Sequence, residues 1–204
     1  MKIAVIAAHG KTGRAFVKAA LAAGHDVRAG IRGENPFEPH EKLETVHCNA
    51  LNERDVSALL QNCEAAVCLI GHGKKSPENL QTDAIKNVHA AMLKNDIQRL
   101  VSLTGTGARI AEDQSNAIDK VMNWTIAKID PARIADGAAH IAYLQTTDID
   151  WTVIRVLKLT DGAAKTPQLS SHGPAKTFTS RATVARAIML VLEENSFVKS
   201  APIL

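Results

Sequence analysis

AAHGKTG, residues 7–13, stands between the apolar run KIAVI at 2–6 and the helical stretch RAFVKAALAAG that begins at Arg14. Its two glycines are Gly10 and Gly13, and Ala7 occupies the place where a first glycine makes the sharp bend of a phosphate-binding turn. Gly10 can let backbone approach a phosphate without a Cβ, and Gly13 can let the helix pack closely on the strand. Ala7 fits the bend if its φ stays negative. Taken alone, the seven residues read equally well as a simple strand-to-helix corner. Their setting favours the other reading: the turn follows a strand, opens a helix whose free N–H groups attract an anion, and begins a βαβ unit. His9, Gly10, Lys11, Thr12 and Gly13 are therefore candidates to wrap a pyrophosphate, with Lys11 adding a cation and Thr12 a hydroxyl.

Outward from this turn, short apolar runs alternate with amphipathic stretches. Strands are predicted at 2–7, 25–31, 43–48, 64–70 and 98–104, with helices at 11–24, 52–62 and 79–95 between them and a polar connection after the second strand. Strands that are apolar almost throughout belong to a parallel sheet covered on both faces. The expected fold is thus α/β, a Rossmann-type, doubly wound, mainly parallel sheet in three α/β/α layers, with ligands at the carboxyl ends of the strands. Further on, a helix over about 114–129 is interrupted by Asp130-Pro131, and a second helical run ends near Gln145. DIDWTVIRV at 148–156 reads as a sixth strand, and 157–175, with Gly162, Pro167, Gly173 and Pro174, as a long irregular stretch. SRATVARAIMLVLEE at 180–194 reads as a helix capped by Ser180, with Val184, Ile188, Val191 and Leu192 on its apolar face. FVKSAPI at 197–203 reads as a terminal strand that closes the fold. The 204 residues suit one domain over 1–204, in which about 150–204 completes the sheet and the substrate side.

Composition narrows the function classes. The net charge of +3 comes from scattered lysines and arginines, aromatics are only 3%, and no basic block with interleaved aromatics appears in the sequence, so no nucleic-acid partner is expected. The apolar runs are strand-sized and no charged leader with an apolar core precedes the first strand, so a cytoplasmic protein without membrane contact is expected. Cys48, Cys63 and Cys68 form an odd set without CxxC spacing and read as buried reduced thiols. The histidines are dispersed without HExxH, so no metal site is expected.

The end of the second strand selects the nucleotide. A carboxylate there bonds an adenosine 2′-hydroxyl and repels a 2′-phosphate, whereas an arginine accepts that phosphate bidentately. Here the strand ends GIRG at 30–33, with Arg32 in place and the first acid, Glu34, two residues later. NADP is favoured and NAD remains possible; the alternative is that Arg32 is a solvated loop cation.

Further segments carry a family resemblance. AAHGKTG compares with GATGxxG, VHCNALNERD at 46–55 with vvxGDlxd, and IQRLVSLTGTGA at 97–108 with krfVxvSsxga. TDIDWTVIRVLKL at 147–159 compares with sgldwTivRPgxL, and TSRATVA at 179–185 with isRxDvA. Through essentially its whole length the chain resembles atypical short-chain dehydrogenase/reductase proteins, in the NAD(P)-binding NmrA-like and biliverdin reductase B/flavin reductase-like branch. DWTVIR is the most specific match. The chain departs at Ala7 for glycine, Ala50 for an acid near the adenine, Val156 for proline and Thr183 for an acid. The resemblance implies that Gly10 to Gly13 wrap the pyrophosphate and Arg32 meets the 2′-phosphate. It also implies that Leu51 flanks the adenine, that Ile70 and Gly71 approach the ribose and nicotinamide, and that Thr104 and Gly105 border the nicotinamide.

The proton-relay pair of the wider superfamily, YxxxK, is missing: the one tyrosine is Tyr143 and Thr147 follows four residues later. Routine alcohol dehydrogenation is thereby disfavoured. Hydride delivery to a flavin, quinone or similar conjugated acceptor survives, because such an acceptor delocalises charge and can take its proton from solvent. In the loop GHGKKSP at 71–77, His72 could donate to an acceptor carbonyl and Lys74 and Lys75 could attract an anion; a solvated polar loop is the alternative. His140 either faces the nicotinamide or packs inside its helix, and the Thr104 hydroxyl either meets ligand or caps a turn. Arg155 reads as a structural ion-pair partner, and Trp124 and Trp151 as core anchors. The resulting expectation is an NADPH-preferring oxidoreductase acting on a small molecule. The alternative is a non-catalytic, NAD(P)-binding redox-sensing or regulatory protein of NmrA-like character.

Overall fold

The computed structural model describes residues 1–73 and 75–204; Lys74, one of the two loop lysines singled out above, lies outside the described residues. Six strands form one parallel sheet in the order β3-β2-β1-β4-β5-β6, namely β1 (Lys2–Ile6), β2 (Asp26–Ile31), β3 (Leu43–His47), β4 (Ala65–Cys68), β5 (Arg99–Gly105) and β6 (Asp150–Val156). The order reverses between β1 and β4, which opens the crevice where doubly wound sheets bind ligands.

The strand period of two divides β1 between two cores. Ile3 and Val5 join Phe16 and Val17 of α1 (Lys11–Ala22) and Val184, Ile188 and Val191 of α6 (Arg181–Glu193) on one face. Ala4 and Ile6 join Leu59 of α2 (Glu53–Leu60), Ile85 and Val88 of α3 (Leu80–Lys94) and Ile141 of α5 (Pro131–Gln145) on the other. The three layers are therefore those expected, and each buried Leu, Ile or Val side chain contributes about 1.5–3 kcal/mol. Ser180 caps α6, its hydroxyl accepting from the Thr183 amide at 3.1 Å. Asp130 ends α4 (Ala117–Ile129) and caps α5, whose first residue is Pro131, where a missing N–H costs no helical bond. Among the described residues no helix is long and apolar enough to cross a membrane.

Several expectations require correction. Ala7 has φ +60°, not a negative value: the bend returns the Gly10 amide to the Ala7 carbonyl at 3.1 Å, and that geometry holds a non-glycine residue in the left-handed region. Trp124 is 64% exposed on α4 and is no core anchor, whereas Trp151 is buried. The helix face turned inward carries the polar pair Asp119 and Asn123, so the indole is left outside. The terminal segment is not a full strand. Phe197 and Lys199 have positive φ, and Pro202 lacks an N–H for a ladder. Only isolated parallel bridges, Ser200 to Thr152 and Ile203 to Arg155, run along the edge of β6. The stretch after β6 is not wholly irregular, since β7 (Leu159–Thr160) pairs in parallel with β8 (Thr179–Ser180).

Arg155 is fully buried, as its ion-pair reading requires. Both terminal nitrogens meet the Asp113 carboxylate, while Nε donates to the Ala201 carbonyl at 2.8 Å and Nη1 to that of Ala108 at 3.0 Å. These partners tie β6 to the loop after β5 and to the C-terminal segment.

Candidate functional site

Two chambers meet at the carboxyl ends of β1 and β4 and share Leu69, Ile70 and Gly71. The first, about 390 Å³, is lined by Ala7, His9, Gly10 and Arg32 together with Cys48 to Leu51. The second, about 580 Å³, is lined by Thr12, His72, Gln81, Thr104 and Gly105 and walled by Met122, Ile126, Leu157 and Leu159. Among the described residues a Cβ at Gly71 would meet no atom within 4 Å beyond its chain neighbours, so its missing side chain leaves room at the junction of the chambers. Arg32 is exposed at the rim of the first chamber, and among the described residues no carboxylate lies within ion-pairing distance of it.

The glycine turn divides its labour. Gly10 is the N-cap of α1, no side chain caps that end, and no acid stands in the first turn, so the leading amides remain open to an anion. Gly13 lines neither chamber. A Cβ there would lie 2.5 Å from the Ala7 and Ala8 carbonyl oxygens, which makes its role the close approach of α1 to β1. Lys11 reaches outward to Asp161 at 3.6 Å, and Arg181 meets the same carboxylate at 2.7 Å. Those two cations, Arg181 foremost, hold the Asp161 carboxyl below its usual range.

The second chamber is built on a buried polar network. Asp136 of α5 is fully buried; its Oδ1 accepts from the Thr82 amide at 2.9 Å and the Thr82 hydroxyl at 2.6 Å. Its Oδ2 accepts from the Gln81 amide at 2.7 Å and meets His72 Nε2 at 2.7 Å. Burial works to raise the Asp136 pKa, but the Thr82 hydroxyl, the two amides and His72 outweigh it and hold the carboxyl below the usual range. Gln81 in turn donates to the Ile70 and Leu103 carbonyls at 3.0 and 3.2 Å and accepts the Thr104 hydroxyl at 2.9 Å. Gly137 makes the arrangement possible, because a Cβ there would stand 2.7 Å from Thr104 Oγ1. A glycine inside a helix costs about 1 kcal/mol relative to alanine, and here the loss admits α5 against the end of β5.

The structure decides between the alternatives the sequence left open for two histidines. His72 does not belong to a solvated loop: its side chain is 6% exposed and locked to Asp136. His140 lines neither chamber, so it does not face a nicotinamide there. It is 1% exposed beneath the floor, its Nε2 lies 3.0 Å from Ser102 Oγ, and among the described residues its Nδ1 has no partner. Burial pushes its pKa down to about 4 against the opposing charge of Asp136. The Tyr143 hydroxyl pairs with His89 Nδ1 at 2.9 Å, and burial raises its pKa, the opposite of what an acid catalyst needs. All three cysteines are buried and unpaired; burial pushes Cys48 up to about 12 and Cys63 and Cys68 up to about 11. They are inert as nucleophiles.

Asp136, Gln81 and the wall from α4 were not singled out in the sequence, whereas the 157–159 wall belongs to the segment expected on the substrate side. The one local signal was Gly137 in the middle of an otherwise regular helix.

A family model described as NAD(P)H-binding matches residues 7–195. Among solved structures, the chain is similar to the oxidoreductase ylbE from Lactococcus lactis, with 17% identity and a TM-score of 0.84 over 100% of this chain and 90% of that one. It is also similar to a short-chain dehydrogenase/reductase from Veillonella parvula crystallised with NADP, with 15% identity and a TM-score of 0.81 over 98% and 92% of the two chains. ChuY, an anaerobillin reductase from Escherichia coli O157:H7, has 19% identity and a TM-score of 0.75 over 100% and 97%. At these identities the likeness is one of fold.

Proposed function

Because the chain belongs to the NAD(P)H-binding family, we propose that it is an NADPH-preferring oxidoreductase that reduces a small conjugated acceptor such as a flavin or quinone. The observation that carries this reading is the pair of chambers joined at Gly71, one beside the uncapped end of α1 and Arg32, the other apolar-walled and polar-floored. Bound NADPH would supply two electrons and one hydrogen to the acceptor. The chain's own residues bind and orient. The leading amides of α1 face the pyrophosphate, Arg32 takes the 2′-phosphate, and Leu51 and Ala50 border the adenine. Thr104, Gly105 and Ile70 would border the nicotinamide. Met122, Ile126, Leu157 and Leu159 would exclude water from the acceptor and orient it toward the nicotinamide.

The reductase named in one structural relative and the NADP bound in another support this reading by analogy of fold. Steady-state oxidation of NADPH with FMN, riboflavin and menadione tests it. Turnover above a heat-killed control with at least one acceptor is expected, and tight NADPH binding without turnover on any of them would favour a redox-sensing role instead.

A further inference from the structure

We propose that His72 is the proton donor to the acceptor, oriented by Asp136, in place of the missing tyrosine and lysine. The inference rests on the oxidoreductase reading above and names the chain's own proton source within it. Four observations lead to it.

First, His72 is shared by two cavities. It lines the acceptor chamber and also an outer cavity of about 540 Å³, bounded by Gly73, Ser76, Glu78, Asp130 and Arg133. A side chain in such a partition can lose a proton on one side and regain one from solvent on the other. Second, its Nε2 is committed to Asp136 at 2.7 Å, and among the described residues its Nδ1 has no hydrogen-bond partner. The ring therefore has one nitrogen to hold it and one to work with. Third, Asp136 cannot serve as the acid itself, because four donors converge on its carboxylate. It stays ionised and fixes the ring through Nε2. Fourth, the neighbouring hydroxyl is already used: Thr104 donates to Gln81, so it can offer the cleft only lone pairs.

The balance is simple. Bound NADPH would supply the acceptor an electron pair with one hydrogen, leaving NADP+. The His72 imidazolium gives its Nδ1 proton to the acceptor oxygen or nitrogen that gains charge. The ring is left neutral with Nε2–H still on Asp136, and solvent in the outer cavity returns the proton. His72 touches the acceptor and is the catalytic residue of the pair; Asp136 is a positioning residue.

His72→Gln tests the donor, because its amide can still reach Asp136 but has no proton to give. With menadione as acceptor, kcat should fall about 100-fold, a usual loss for general acid catalysis, while the Kd for NADPH stays within twofold. Asp136→Asn should also lower kcat more than it raises KM. Nitrogen-15 NMR of the ring provides a readout independent of turnover. In the wild type the neutral His72 ring should carry its hydrogen on Nε2, its signals should move on addition of NADP+, and Asp136→Asn should abolish the tautomer preference. Turnover of His72→Gln at the wild-type rate would overturn the proposal and leave the oxidoreductase reading standing. Ring signals indifferent to NADP+ would overturn it as well. A wild type that binds NADPH and reduces no acceptor would remove both readings together.

Discussion

The two chambers share one wall and are built in opposite ways. The first is lined largely by short local segments: the turn at 7–10, Arg32 just past β2 and the bend at 48–51. The second is made of side chains brought from far apart, Asp136 to His72 across 64 residues and Thr104 to Gln81 across 23. A phosphate site needs amides and space, which a local motif can encode. A site that handles a proton needs fixed polar partners in a dry environment, and only tertiary packing supplies them.

The largest way to break the first chamber is Gly13→Val. Carbonyl oxygens 2.5 Å from the new Cβ cannot step aside as a flexible side chain would, so a loss of about 3 kcal/mol or more is expected, read by denaturant unfolding.

An effect of similar size should mark the floor of the second chamber. His140 is neutral when folded, with its pKa near 4, against about 6.5 in the unfolded chain. Between these values the unfolded state binds more protons, so stability rises with pH across the window and is lost as pH falls from about 6.5 towards 4. The total is of the order of 3 kcal/mol. His140→Gln, which can keep a hydrogen bond to Ser102, should flatten that slope in unfolding measured from pH 7 to 4; an unchanged slope would assign it to other groups.

How far each chamber was legible in the sequence follows from the same contrast. The three layers and the turn at Gly10 follow from apolar periodicity and a short motif, because neighbours in sequence decide them, and Arg32 follows from the end of the second strand; Leu51, Ile70 and Gly71 were reached only through the family resemblance, and all of these residues line the crevice. Asp136 was not legible: an acid in an amphipathic helix looks like any solvated residue until α3 and α5 pack. Trp124 lies outside for the same reason, since helical spacing defines a face but not which layer covers it. Ala7 shows a third limit. Its side chain suggested an ordinary bend, and the hydrogen bond to Gly10 demanded a left-handed one.

Two smaller effects sharpen the comparison. Arg32→Ala should weaken NADPH by about 2 kcal/mol, a usual loss for a charge-assisted bond, and leave NADH almost unchanged; equal losses in paired titrations would remove the 2′-phosphate assignment. Ala7→Gly relieves about 1–2 kcal/mol of left-handed strain but adds freedom to the unfolded chain, so a net gain of at most about 1 kcal/mol is expected by thermal unfolding. The same substitution should leave His72 and its ring signals untouched.

Everything in the second chamber presupposes that the first holds a dinucleotide at the open end of α1. Titration of the purified protein with NADPH, followed by nicotinamide fluorescence, addresses that directly. The expected result is saturation at one equivalent per chain with displacement by adenosine 2′,5′-bisphosphate; a flat titration up to millimolar nucleotide would contradict it.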